Sequence, residues 1–196
     1  MTKPTPWPRR TEHLLLRYAV ASDLDVMLGY RLTPEVNRWM LSTTVDPERY
    51  RAAWLAAEAD PDDFSVVADL DGRVVGSISM ELVDAPAQGH GDPERGHPAH
   101  RAVARIGYVV DPAHAGRGYA TQMVQAALAV AFDELGVRRV TAGCFADNPA
   151  SVRVLEKAGM RREGHSVRDA WHAELGWIDG YEYALLAEEW PTSARR

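Results

Sequence analysis

The chain has 196 residues, 46% hydrophobic and 26% charged, which suits one globular domain with a real core. Its net charge is −6, from 22 basic and 28 acidic residues. With no long basic run, that balance argues against non-specific binding to nucleic acid or to an anionic membrane. Cys144 is the only cysteine, so no intramolecular disulfide can form.

Residues 1–10 carry Pro4, Pro6 and Pro8 and read as a flexible, poorly packed N-terminal arm. The segment has no apolar core like that of a signal peptide, and no stretch reaches the roughly 18 apolar residues of a membrane span. A cytoplasmic location is expected. Leu14 to Val20 reads as a first strand, and Ser22 or Asp23 as the cap of a short helix to Tyr30. A second short helical piece runs from Pro34 to Trp39. Asp46-Pro47 is a cap followed by proline at the first helical position, opening a helix to about Ala59. Phe64–Ala68 and Val74–Val83 form a strand pair around the turn Asp71-Gly72. Residues 84–101, with three prolines, three glycines and His90, His97 and His100, read as an exposed loop insertion.

The second half is more regular. Ala102–Val110 is a strand, and Ala113–Gly118 a glycine-bearing turn. Apolar residues at 120, 123, 124, 127, 128, 131, 132 and 135 then predict an amphipathic helix, ended by Gly136. Val137–Phe145 is a strand. Asn148-Pro149 opens a helix that Gly159 closes. Two last strands fall at about Met160–Ala173 and Tyr181–Ala187. Residues 11–190 form one domain, and 191–196 a tail. The order predicts an α/β (α+β) fold: a mixed sheet flanked by helices.

The turn Asp111–Ala120 lies between a strand and a long helix. Unpaired N–H groups, the helix dipole and glycines that permit close approach suit it to a phosphate or pyrophosphate. An ordinary turn needing glycine dihedrals is the other reading. A P-loop is excluded because no lysine follows the glycines.

The stretch IGYVVDPAHAGRGYA (Ile106–Ala120) resembles the acetyl-coenzyme A motif of the GNAT superfamily of N-acetyltransferases. That motif is Arg/Gln-x-x-Gly-x-Gly/Ala. Gly118 and Ala120 match it, and Ala115 departs from its first position. Asn148-Pro149-Ala150-Ser151, with Gly159 eleven residues after Asn148, resembles the family's Asn-x-x-Ser/Ala helix. TEHLLLRYAV (Thr11–Val20) and GWIDGYEYALLAEEW (Gly176–Trp190) resemble the RimJ/RimL-type branch, whose namesakes acetylate ribosomal protein N-termini.

The resemblance spans about residues 11–190 and implies a GNAT-like, mostly antiparallel sheet. It implies acetyl transfer from acetyl-coenzyme A, as cosubstrate, to a primary amine of a small molecule or a protein N-terminus. It places the cosubstrate on backbone groups of Tyr108, Val109 and Val110, on Ala115, Gly116, Arg117, Gly118, Tyr119 and Ala120, and on Asn148. Asn148 also reads as a plain helix cap. Leu155 stands where many members carry a tyrosine as general acid, so Ser151 is the candidate proton donor. Its other reading is a local hydrogen bond in the helix's first turn. Arg105 stands where the branch often has an acidic residue. Glu81 and His100 are the nearby titratable groups, and neither is assigned as base. Trp39, Trp54 and Trp171 are candidate acceptor contacts, as Trp177 and Arg38 could be, with core packing as the alternative for the tryptophans. The three loop histidines lack metal-site spacing, so no metal is expected. A homodimer is common in the branch. A non-catalytic acyl-coenzyme A-binding module is the alternative function, because the usual acid and base positions are filled by Leu155 and Arg105.

Overall fold

The computed structural model describes residues 3–89 and 96–191. His90 therefore lies outside the described residues, as do 192–196 of the expected tail. Eight strands form one sheet in the order β1-β2-β3-β4-β5-β6-β8-β7. They are β1 (Arg9–Arg10), β2 (Leu15–Arg17), β3 (Val66–Leu70), β4 (Arg73–Val83), β5 (Val103–Val110), β6 (Arg139–Phe145), β7 (Arg161–His172) and β8 (Gly176–Leu186). Every pairing is antiparallel except β5 with β6. That parallel pair needs a crossover, which helix α4 (Tyr119–Ala129) supplies.

The two sheet faces are covered by different helices. On one, α4 and α5 (Pro149–Lys157) bury Met123, Val124, Leu128 and Leu155 against Val75, Ile78, Ala104, Ile106, Val140 and Tyr183. On the other lie α1 (Leu24–Arg31), α2 (Pro34–Asn37) and α3 (Pro47–Ala56). There Leu24, Met27 and Tyr30 pack on Val67 and Val74, with Tyr50, Trp54 and Val109 against them. Strand alternation explains the division: Tyr108 and Val110 join the α4/α5 face, and Val109 the other. Gly76 is required by a close approach, since a Cβ there would meet Val109 O at 2.7 Å.

Several boundaries differ from the sequence reading. The arm is packed from Lys3 onward. Trp7 is buried and donates its indole N–H to Phe64 O at 3.0 Å, and Arg9–Arg10 pair with Leu15–Leu16. One buried aromatic outweighs the disordering bias of three prolines. The long helix runs as α-helix only to Ala129 and then widens into a π turn over Val130–Glu134, where Leu135 N–H bonds Val130 O. The last strand begins at Gly176, five residues earlier than read, because β7 and β8 form a hairpin closed through Trp171↔Trp177 and His172↔Gly176. The ends of loop 84–101 are tied together by Ala85 N–H to Ala99 O at 2.8 Å and Arg101 N–H to Asp84 Oδ1 at 2.7 Å.

Candidate active site

The glycine turn is built by local capping. Asp111 Oδ1 accepts the Ala113 N–H at 3.0 Å and opens a 3-10 turn over Pro112–His114. Gly116 and Gly118 follow with φ of 76° and 81°, a left-handed conformation that favours glycine. A Cβ at either would meet nothing within 4 Å, so the dihedral, not crowding, demands glycine. Ala115 spends its N–H on Pro112 O. From Gly116 to Thr121, no N–H finds a hydrogen-bond acceptor among the described residues. Six successive donors at the start of an eleven-residue helix form a site with partial positive charge. The Tyr119 ring faces inward and is buried, so this residue offers the site only its N–H.

The second component is a split in the sheet. β5 and β6 pair only at Val103↔Arg139, Ala104↔Val140 and Arg105↔Thr141. β4 stays paired with β5 as far as Val110, and β8 with β6 as far as Phe145. The two half-sheets therefore part beyond Arg105 and Thr141 and leave a gap. Asp111 N–H bonds Val75 O across to β4. By antiparallel alternation the Val109 backbone also faces β4, while the N–H groups of Tyr108 and Val110 point into the gap. Of the three expected strand donors, Val109 is thus turned away.

One side of the gap is closed by α5. Asn148 Oδ1 accepts the Ser151 N–H at 3.1 Å, which caps the helix. Ser151 Oγ lies 2.8 Å from Tyr108 Oη, and Ser151 O is 3.2 Å from the same hydroxyl. The Cys144 thiol is half-buried beside Ser151. Burial pushes the Tyr108 phenol up to about 12, opposed by its hydrogen bond with Ser151. Burial likewise pushes the Cys144 thiol up, so both groups stay protonated at neutral pH. Leu155, at the position of the family's acid, is fully buried core. The Tyr108 side chain is the partner that sequence reasoning missed, because it meets Ser151 across 43 residues of chain.

The other mouth of the gap opens on the α1–α3 face. Trp39, Phe145 and His172 cluster there, with ring centroids 5.6 to 6.5 Å apart. Trp54 is elsewhere, against Tyr50 in the packing under α3. Trp171 pairs with Trp177 on the opposite face of the hairpin from His172, and the two rings are 65% and 59% exposed. The three candidate tryptophans do not form one surface. Glu81 and Arg105 are direct cross-strand partners at the floor of an open cleft of about 470 Å³ that Asp60, Asp62 and Asp63 also line. A second cleft of about 740 Å³ continues past Arg105 to Thr141, Gly143 and Glu182. His100 stands outside both, against Asp84 at 3.1 Å. Among the described residues, no three or more His, Cys, Asp or Glu side chains converge as metal ligands.

A family model described as an acetyltransferase (GNAT) domain matches residues 13–161. The chain belongs to the GNAT acetyltransferase family. The GNAT chain is 28% identical to N-acetyltransferase p20 of Bacillus licheniformis over 186 residues, covering 92% of this chain and 96% of that protein. It is 41% identical to N-acetyltransferase YnaD of Bacillus subtilis over 85 residues, 43% of this chain and about half (49%) of YnaD. Among solved structures, Mycobacterium smegmatis RimJ in complex with CoA-disulfide superposes with a TM-score of 0.73 at 25% identity, over 96% of this chain and 92% of that one. The RimJ/RimL-type resemblance and the mostly antiparallel GNAT sheet are both borne out. The GNAT chain is an acetyl-coenzyme A-dependent N-acetyltransferase. No described helix is long and apolar enough to cross a membrane.

Proposed function

We propose that acetyl-coenzyme A binds with its pyrophosphate on the N–H groups of Gly116 to Thr121 and its thioester in the gap between β5 and β6. The run of unpartnered donors beside that gap carries this reading. The fit is physical: the N–H groups are without partners, the Cα atoms of Gly116 and Gly118 are uncrowded, and a −6 chain needs no lysine to hold an anion by backbone dipoles. Arg117 is exposed on the same turn and adds a cation. The Tyr108 N–H is aimed to polarise the thioester carbonyl. The side chain of Asn148 meets the pantetheine arm as well as capping α5.

The amine enters from the α1–α3 face, because α5 closes the opposite side. Its lone pair attacks the carbonyl carbon, a C–N bond forms and the C–S bond breaks. As the C–S bond breaks, Ser151 passes its hydroxyl proton to the departing sulfur, and the Tyr108 hydroxyl 2.8 Å away stabilises the serine oxygen. The proton shed by the nitrogen as the amide forms returns to Ser151 through solvent in the open cleft, leaving free thiol, amide and neutral serine. The clefts are open to water, so the ammonium loses its proton to solvent before attack. The acceptor is a small-molecule amine or a protein N-terminus, and Trp39 borders its path.

A thiol-release assay tests this reading, using spermidine, L-phenylalanine and an alanine-terminated peptide. Thiol release that depends on one of these amines is expected. Tight acetyl-coenzyme A binding with no release across the set would instead favour the non-catalytic binding module. Homodimer formation is a separate proposal, checked by light scattering of the full chain.

A further inference from the structure

His172 is 5% exposed, yet it satisfies three backbone groups from two distant parts of the chain. Its Nε2 lies 2.7 Å from Arg38 O, while Nδ1 accepts the N–H groups of Glu174 at 3.1 Å and Leu175 at 3.2 Å. A nitrogen that accepts two N–H groups carries no proton, so Nε2–H is the donor to Arg38 O. The same ring packs on Trp39 at 5.6 Å and on Phe145 at 5.7 Å. Arg38 reinforces the junction: its guanidinium lies 5.2 Å from the Trp39 ring and pairs with Glu174 at 3.3 Å. Both ends of the same segment are also held from α1. There the buried Arg31 donates to Asn37 Oδ1 and to Ser42 O.

Residues 37–42 are therefore strapped to the hairpin by His172 and Arg38 and to α1 by Arg31, and the His172 ring itself packs in the aromatic wall. That wall includes Phe145, the last residue of β6 on the parted side of the gap. We infer that His172 is a positioning residue for the acceptor: it docks the 37–42 segment onto the β7–β8 hairpin and so fixes Trp39 at the mouth of the gap. It touches no reacting atom. The inference rests on the reading above that the amine enters from the α1–α3 face.

Two substitutions separate its bonds. His172→Asn keeps an acceptor near the Nδ1 position for the hairpin turn but does not reach Arg38 O. His172→Gln places a donor near the Nε2 position. The variants are assayed with spermidine, L-phenylalanine and the alanine-terminated peptide, and digested with trypsin, which cuts after Arg38. For His172→Asn the expected result is an amine KM raised about 5-fold or more. Its kcat and acetyl-coenzyme A Kd should stay within about twofold of wild type, with faster cleavage after Arg38. His172→Gln should recover most of both effects, and Trp39→Leu should reproduce the KM rise. Unchanged cleavage after Arg38 in His172→Asn overturns the inference, as does a KM equal to that of the wild type. If His172→Asn fails to fold, Trp39→Leu with an unchanged amine KM overturns it. Failure of the entry reading looks different: Trp39→Leu would weaken acetyl-coenzyme A binding while faster cleavage in His172→Asn persisted.

Discussion

At the residue scale the chemistry narrows to Tyr108, Ser151 and Cys144. Ser151→Ala removes the proposed proton donor and leaves the Asn148 cap, which uses the Ser151 N–H. A fall in kcat of about 10²-fold is expected, with acetyl-coenzyme A Kd nearly unchanged. Tyr108→Phe keeps the ring packing and loses only the hydroxyl, so a smaller fall of about 10-fold is expected. Steady-state kinetics and calorimetry check both. The raised Cys144 thiol should alkylate slowly with iodoacetamide at pH 7 and faster as pH rises, and acetyl-coenzyme A should protect it. Alkylation at the rate of a free thiol, unaffected by acetyl-coenzyme A, would contradict the placement. Ser151 was legible because a local motif spaces it from Asn148. The Tyr108 hydroxyl was not, since only the tertiary fold brings it there.

At the element scale the glycine turn is the part most specific to the function. A side chain at Gly118 would have to sit at the left-handed φ of 81°, at a cost of about 1–2 kcal/mol, and relieving that strain would move the free N–H groups. Gly118→Ala should therefore weaken acetyl-coenzyme A binding about 10-fold or more. Gly72→Ala is the matched control, with φ of 87° in the β3–β4 turn and equal free space. It should show a similar loss of stability and no change in Kd. A second element-scale device is Arg17, which holds Asp23 at 2.7 Å and Asp69 at 2.9 Å and so ties β2 to the start of α1. Burial pushes Asp23 upward, but the hydrogen bond from Arg17 and the Val20 N–H outweigh it, and its carboxyl is held below the usual range. A depressed carboxyl stabilises the fold above its unfolded pKa of about 3.9, and that contribution is lost as pH falls further. Asp23→Ala should cost about 3 kcal/mol at pH 7, and the difference from wild type should shrink in acid, by denaturant melts at each pH.

At the scale of the whole molecule, the function depends on a sheet in which one of the seven pairings, β5 with β6, stops partway along both strands. The alternating pattern of strands and capped helices was legible from residue 64 to 159, because caps, prolines and glycines mark each boundary there. The packed N-terminus was not, because its order comes from Trp7 docking on Phe64, 57 residues away. The parting of β5 and β6 was also beyond local pattern, since both strands read as ordinary strands to their ends. The aromatic wall was only partly legible. Trp39 sits in it, while Trp54 and Trp171 are carried elsewhere by α3 and by the far face of the hairpin.

The central claim is that the free N–H groups of one turn and the parted strands together hold acetyl-coenzyme A. A crystal structure of the full chain grown with acetyl-coenzyme A tests it most directly. Pyrophosphate oxygens within hydrogen-bond distance of the N–H groups between Gly116 and Thr121, and the thioester between Tyr108 and Ser151, are the expected result. A pyrophosphate bound elsewhere, or a thioester outside the gap, would contradict the account.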